Sequence, residues 1–122
     1  MSREKILIVE DDDVLAKIIA WRLTNLGYEV CGRAAYGAEA IELLLKEQPD
    51  LVLMDINLKG DMDGIATTLR IKKEFRVPVV YLTSHFDGPT LERAKESRPD
   101  GFVLKPFDDQ DLRVGIELAL KK

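Results

Sequence analysis

Four carboxylates in succession, Glu10, Asp11, Asp12 and Asp13, directly follow the apolar run Ile6–Val9. Two unit charges ~4–5 Å apart repel by roughly 3–4 kcal/mol at an effective dielectric constant near 20, so a positive charge is needed beside them. Carboxylate oxygens are preferred ligands of hard cations such as Mg²⁺. The run therefore predicts a cation site. Part of the run has a simpler explanation, because Asp12 or Asp13 can be the N-cap of a following helix.

Three further reactive side chains, Asp55, Thr83 and Lys105, each stand at the end of a later apolar run. If these runs are parallel strands, their carboxyl ends meet at the edge of the sheet where ligands bind in open α/β sheets. Carboxylates, a hydroxyl and an amine would then converge on one cleft. Such a set suits a phosphoryl group, whose transfer depends on positioning and charge neutralisation. Asp55, which stands alone on its run, is the best candidate for a nucleophile that forms an aspartyl phosphate.

The elements that must position these residues are short apolar runs alternating with amphipathic segments, which predicts a doubly wound α/β domain with a mostly parallel sheet. The predicted strands are Ile6–Val9, Glu29–Arg33, Asp50–Ile56, Val77–Thr83 and Gly101–Lys105.

Helical spacing of apolar residues fills the intervals between the predicted strands. The expected buried positions are Leu15, Ile18, Ile19, Leu23 and Leu26 before a stop at Gly27, then Ile41, Leu44 and Leu45 before Pro49, and finally Leu112, Ile116, Ala119 and Leu120. A third helix is expected over Gly64–Phe75, and a fourth begins with Gly88 as N-cap and Pro89 in its first turn. Trp21 and Cys31 are expected to pack in the interior, and Val114 and Leu118 to lie on the opposite face of the last helix.

Composition bounds the class of protein. The 122 residues suit one domain, 1–122, and 46% hydrophobic with 33% charged residues indicates a globular chain. A net charge of −4 and a pI near 5.1 argue against direct nucleic-acid binding. The single cysteine excludes an intrachain disulfide and fits the cytoplasm. Since no apolar stretch is long enough to span a membrane, we expect no membrane partner.

Four segments, "ILIVEDD", "LVLMDINL", "VVYLTS" and "FVLKPF", resemble the motifs of response-regulator receiver domains, the family of the chemotaxis protein CheY. The resemblance covers essentially the whole chain. It implies a flavodoxin-like, five-stranded parallel sheet in the order 2-1-3-4-5 with five helices. It also implies a phosphoacceptor signalling domain rather than an enzyme. Such a domain receives its phosphoryl group from a sensor histidine kinase or phosphotransfer protein, in a phosphorelay that switches an output surface.

The resemblance also implies roles for individual residues. Asp55 is the expected phosphorylation site, in a reaction that depends on Mg²⁺, for which Mn²⁺ can substitute. The implied metal ligands are Glu10, Asp11, Asp55 and the backbone carbonyl of Asn57. The implied phosphate-binding and switch residues are Thr83, Lys105 and Phe102, and the Lys105–Pro106 bond is expected to be cis.

The resemblance does not imply a role for two features of the sequence. The loop "DINLKGDMDG" lacks the proline common after the phosphoacceptor and is one residue longer, so the role of Leu58–Met62 is not implied. His85, the only histidine, is expected to be an exposed loop residue beside the site. In this family the face formed by the fourth helix, fifth strand and fifth helix is a frequent dimer or output surface, which makes a homodimer possible here.

Two other classes of protein compete with the receiver interpretation. A phosphatase like the haloacid dehalogenases would carry D-x-D on its first strand, whereas Asp55 lies on the third predicted strand and is followed by Asn57. A flavin-binding module of the same fold would need a phosphate loop after the first strand. The run from Glu10 to Asp13 would repel a flavin phosphate there.

Overall fold

Five strands and five helices alternate along the chain in the computed structural model, which describes residues 3–84 and 87–121. The strands are β1 (Lys5–Val9), β2 (Glu29–Ala34), β3 (Leu51–Asp55), β4 (Val79–Thr83) and β5 (Gly101–Leu104). The helices are α1 (Asp13–Asn25), α2 (Gly37–Glu47), α3 (Gly64–Glu74), α4 (Gly88–Glu96) and α5 (Asp109–Leu120).

All strand pairings are parallel, and the sheet order is β2-β1-β3-β4-β5, which confirms the predicted topology. The central strand β3 is buried at every position, as a strand covered on both faces must be. Its pairing with β1 and β4 sets the register, since Val9 lies opposite Met54 and Asp55 opposite Leu82. The ends of these three strands therefore meet at one edge.

Two hydrophobic cores cover the two faces of the sheet. On one face, α2, α3 and α4 pack over one set of alternate strand residues, which includes Val52, Met54 and Tyr81. On the other face, α1 and α5 pack over the other set, which includes Leu53 and Val103. This alternation follows from the two-residue period of side chains along a strand.

Aspartates cap four of the five helices, all of which start at the carboxyl edge of the sheet. The N-caps of α1, α3, α4 and α5 are Asp12, Asp63, Asp87 and Asp108, and each side chain accepts a hydrogen bond from a backbone N–H in the first turn. Such bonds satisfy donors that the helix itself leaves unpaired. Gly88 was expected to be the N-cap of α4; this is wrong, because the cap is Asp87 and Gly88 is the first helical residue.

Three residues that were expected to be buried are instead exposed, namely Ile18, Trp21 and Leu45. Trp21 is 68% exposed, and with Val14 and Ile18 it forms a stripe along the outer side of α1, which we call the α1 stripe. Apolar residues occur on nearly every side of this helix, so spacing alone could not tell which of them face the sheet. Leu45 on α2 is also exposed, whereas Cys31 packs against a core as expected. None of the helices formed by the described residues is long and apolar enough to cross a membrane.

Candidate functional site

Three carboxylates meet at the carboxyl edge of the sheet. Glu10 follows β1, Asp11 comes next, and Asp55 ends β3, and one oxygen of each lies within 4.8 Å of the others. Glu10 and Asp55 are only 2% and 4% exposed, while Asp11 is half-buried. Because burial weakens the screening of like charges, a cation would lower the energy of this cluster more than that of an exposed acidic patch.

Glu10 carries a buried carboxylate oxygen, Oε2, that makes no hydrogen bond within residues 3–84 and 87–121. Burial, and next the neighbouring Asp55 carboxylate, raise the pKa of Glu10 to about 7, although Lys105 opposes the rise. A divalent cation would favour the ionised form of the same group. The donor set is entirely oxygen, which fits Mg²⁺.

Lys105 brings a positive charge to the other side of the cluster. Its Nζ lies 3.7 Å from Glu10 Oε2 and 3.8 Å from Asp55 Oδ1. The Lys105 backbone N–H donates to the Thr83 carbonyl at 2.7 Å, so the residue continues the pairing of β5 with β4 one position beyond the strand. The peptide bond between Lys105 and Pro106 is cis.

The loop after β3 folds back over the cluster. The Asn57 N–H donates to Asp55 Oδ1 at 3.0 Å, and the Lys59 N–H donates to Asp11 Oδ2 at 3.2 Å. Where the loop enters α3, the Gly64 N–H donates to the Ile56 carbonyl at 3.2 Å. A Cβ at Gly64 would overlap the Asp55 carbonyl oxygen and lie 2.7 Å from Ile56 Cα, so only glycine fits there.

Comparison with known proteins decides the class of this site. A family model for the response regulator receiver domain matches residues 6–117. The chain belongs to the response regulator receiver domain family. The receiver domain is therefore a phosphoacceptor unit of two-component signalling, in which such domains take phosphoryl groups from histidine kinases or phosphotransfer proteins.

Individual relatives agree with this assignment. The transcriptional regulatory protein PdtaR of Mycobacterium tuberculosis is 36% identical over 97% of this chain and 57% of its own length. The receiver domain of a modulated diguanylate cyclase from Desulfovibrio desulfuricans superimposes with a TM-score of 0.92 at 35% identity, covering 98% of this chain and 95% of that one. The chemotaxis protein CheY4 of Vibrio cholerae gives 0.85 at 25% identity, with 97% and 99% covered.

The receiver domain spans about half the length of the curated relatives it matches. The shares are 57% for PdtaR and 47% for the probable transcriptional regulator ycf27 of Guillardia theta.

The two switch residues expected from the sequence, Thr83 and Phe102, lie on β4 and β5. Thr83 is fully buried at the end of β4. Phe102, on β5, is 42% exposed, and its ring lies 5.8 Å from that of Tyr81 at an angle of 53°. The Tyr81 hydroxyl lies 2.5 Å from Ser97 Oγ at the end of α4. The aromatic pair thus connects β5 with the last turn of α4. His85 falls outside the described residues.

Sequence reasoning missed the arginine that neutralises part of the acidic run. Arg33, near the end of β2, donates from Nε to the Glu10 carbonyl at 2.8 Å and from Nη1 to Asp13 Oδ1 at 2.6 Å. Its hydrogen bond and its charge hold the pKa of Asp13 below the usual range. The four acids therefore divide their roles. Asp12 caps α1, Asp13 pairs with Arg33, and only Glu10 and Asp11 join the cluster.

A second missed arginine joins two helices. Arg93 on α4 makes a two-pronged contact with Asp63, with N–O distances of 2.9 and 3.2 Å. Asp63 is also the N-cap of α3, where its carboxylate accepts a hydrogen bond from the Ala66 N–H. The strand order places β2 beside β1, so a polar residue ending the second predicted strand was the available signal for Arg33. No comparable signal existed for Arg93.

Proposed function

We propose that Asp55 accepts the phosphoryl group and that Glu10, Asp11 and Lys105 make this possible. The observation that supports the proposal best is the cluster of three carboxylates within 4.8 Å, two of them buried, with the Lys105 ammonium 3.8 Å from Asp55. A carboxylate nucleophile with an amine beside it suits a transferring phosphoryl group, whose charge must be neutralised.

The metal that the family implies fits this donor set. Glu10, Asp11, Asp55 and the backbone carbonyl of Asn57 would hold Mg²⁺, or Mn²⁺ in its place. Glu10 Oε2, which makes no hydrogen bond within the described residues, is the oxygen that most needs such a partner. When bound, the ion supplies positive charge for the phosphoryl oxygens.

The transfer itself is a displacement at phosphorus. An Asp55 carboxylate oxygen attacks the phosphorus of a phosphohistidine, the new P–O bond forms, and the P–N bond breaks with its electron pair left on the imidazole. Lys105 binds a phosphoryl oxygen and so stabilises charge that the cluster would otherwise repel. Water later attacks the same phosphorus and breaks the bond to Asp55, which resets the domain. Both steps are carried out by this chain's own residues on itself.

The switch follows from the new charge. Thr83 moves its hydroxyl toward the phosphoryl group, and the space it leaves lets Phe102 turn inward from its half-exposed position beside Tyr81. The phosphorylated form then favours a different surface around β5 and α4, as a local change of charge and packing biases two states.

Intact mass after incubation with acetyl phosphate tests the proposal. We expect a Mg²⁺-dependent gain of one phosphoryl group that Asp55→Asn abolishes. Asp61→Asn, in the exposed part of the following loop, is the matched control and should keep the gain. A gain that survives in Asp55→Asn would place the phosphoryl group elsewhere and refute the assignment.

The α1 stripe is an exposed apolar surface beside the site, on which a phosphodonor protein could pack. Val14 lies one residue after the acidic run, and Ile18 and Trp21 follow at intervals of four and three residues on the same side of the helix. A protein that reaches Asp55 from outside must cover the mouth of the cluster and so lies over this end of α1. We therefore propose that the kinase or phosphotransfer protein packs on the α1 stripe.

A homodimer through the face of α4, β5 and α5 is proposed for the activated form. Phe102, Leu104, Val114 and Leu118 are exposed there around a cavity of about 490 Å³. Val114→Glu combined with Leu118→Glu should abolish association after activation, as measured by analytical ultracentrifugation. Unchanged association would refute this interface.

The remaining expectations from the sequence also stay proposals. We propose that residues 1–122 form one receiver domain, that it is cytoplasmic, and that it has no direct nucleic-acid or membrane partner. The single cysteine and the net charge of −4 support them.

A further inference from the structure

Arg22, on the last turn of α1, is bound to the segment that follows Lys105. Its Nη1 donates to the Phe107 carbonyl at 2.7 Å, across 85 residues of sequence. Its guanidinium also lies over the Phe107 ring, 5.5 Å from the centroid, and its Nε is 3.8 Å from Asp109 Oδ1. Helical side chains lean toward the N-terminus of their helix, so Arg22 reaches from α1 toward the carboxyl edge of the sheet.

These contacts complete a two-point attachment of Lys105. On one side, the Lys105 N–H is fixed to the Thr83 carbonyl at 2.7 Å. On the other side, only Pro106 separates Lys105 from Phe107, whose carbonyl Arg22 holds. Beyond Phe107 the chain enters the capping box of α5, formed by Asp108 and Asp111. Arg22 therefore ties this short segment to α1 by a side-chain hydrogen bond.

The position of the Lys105 ammonium is sensitive to that attachment. Its Nζ stands 3.7 Å from Glu10 and 3.8 Å from Asp55, between the two carboxylates and in direct hydrogen-bond contact with neither. This spacing keeps the ammonium available for an incoming anion. A displacement of about 1 Å in such a site can cost on the order of a hundredfold in reactivity.

We propose that Arg22 is a positioning residue for phosphoryl binding: by holding the Phe107 carbonyl, it keeps Lys105 placed to receive a phosphoryl oxygen. This inference rests on the role given to Lys105 in the proposed function. Arg22 touches neither the phosphoryl group nor the metal ligands. Its effect is therefore expected on anion binding and not on Mg²⁺ binding, which depends on the carboxylates.

The test measures binding of beryllium fluoride, a phosphoryl mimic, in the presence of Mg²⁺, and of Mg²⁺ alone. Arg22→Met keeps the apolar stem and removes the guanidinium, and we expect a five- to tenfold loss of affinity for beryllium fluoride with less than a twofold change for Mg²⁺. Asp109→Asn is the matched control, because it removes the 3.8 Å ion pair and leaves the bond to Phe107. It should bind beryllium fluoride like the native chain.

A second substitution tests which contact of the guanidinium positions Lys105. Arg22→Lys keeps the charge but not the planar guanidinium that stacks and donates at once, so it should bind the mimic nearly as weakly as Arg22→Met. Full recovery would show that one donor to the Phe107 carbonyl is enough to position Lys105 without stacking on the ring, which supports the positioning role. Urea midpoints of all variants establish that each is folded under the binding conditions.

A double-mutant cycle with Lys105→Met gives the decisive result. If Arg22 acts through Lys105, then Arg22→Met causes no further loss in the Lys105→Met background. Losses that multiply would overturn the proposal and assign Arg22 a structural role. If Lys105→Met itself binds the mimic normally, this inference and the role of Lys105 both fail, while the assignment of Asp55 stands on the mass measurement.

Discussion

Replacing Glu10 by Gln should stabilise the metal-free receiver domain at neutral and higher pH. Burial beside Asp55 raises the pKa of Glu10 from 4.5 to about 7. A folded-state pKa above the unfolded value means that the native protein binds this proton more tightly. The Glu10 contribution to stability is therefore complete below pH 4.5 and is lost as pH rises through about 7.

The size of the effect follows from the two pKa values. At 1.36 kcal/mol per unit, the rise from 4.5 to about 7 corresponds to about 3 kcal/mol. In a chelator at pH 8, we expect Glu10→Gln to unfold at a higher urea concentration than the native chain, by up to about 3 kcal/mol in the free energy of unfolding. Toward pH 4 the two curves should converge.

Urea titrations followed by circular dichroism between pH 4 and 8 make the measurement. Glu42→Gln, on an exposed position of α2, controls for the general loss of one negative charge. Saturating Mg²⁺ should reverse the order of stability, because the ion stabilises the native chain through a ligand that Glu10→Gln has weakened. Parallel curves for the native chain and Glu10→Gln across this pH range would refute the reasoning.

Three further predictions concern residues around the site. In urea unfolding, Gly64→Ala should destabilise the domain by about 1–3 kcal/mol, since a methyl group there overlaps the end of β3. The control is Gly88→Ala at the first position of α4, where a methyl group meets no other atom of the described residues, and it should cost less than about 0.5 kcal/mol. Asp63→Asn keeps the N-cap of α3 but loses the charge that pairs with Arg93, so the cost should stay below about 1 kcal/mol and shrink at high salt. Trp21→Ala should leave urea unfolding within about 0.5 kcal/mol and leave phosphorylation by acetyl phosphate unchanged, and a slower reaction would contradict its exposed position.

The strands and the ends of the strands could be predicted from the sequence for one physical reason. A strand buried on both faces must be continuously apolar, so a charged residue such as Asp55 marks the point where the strand reaches solvent or a site. The order of the strands then brings these ends together. The family motifs added the order, which apolar spacing alone leaves open.

Apolar spacing could not predict the partners of the arginines, because each contact joins two residues far apart in sequence. Arg22 and Phe107 are 85 residues apart, and Arg33 and Glu10 are 23 apart. The exposure of Trp21 was missed for a different reason, since α1 carries apolar residues on several sides and the sheet covers only one of them. In both cases, the residue's contacts or exposure depend on which distant residues lie beside it in the folded chain.

The two hydrophobic cores lie on opposite faces of the sheet, and the proposed site residues are divided between these faces. Side chains alternate along each strand, so Asp55 shares the face of Leu53 with α1 and α5, whereas Thr83 shares the face of Tyr81 with α3 and α4. With the roles proposed for Asp55 and Thr83, the phosphoryl transfer lies on one face of the sheet and the switch residue on the other. Substitutions under α1 and α5 should then change how long the phosphoryl group persists, while substitutions under α3 and α4 should change what the domain reports.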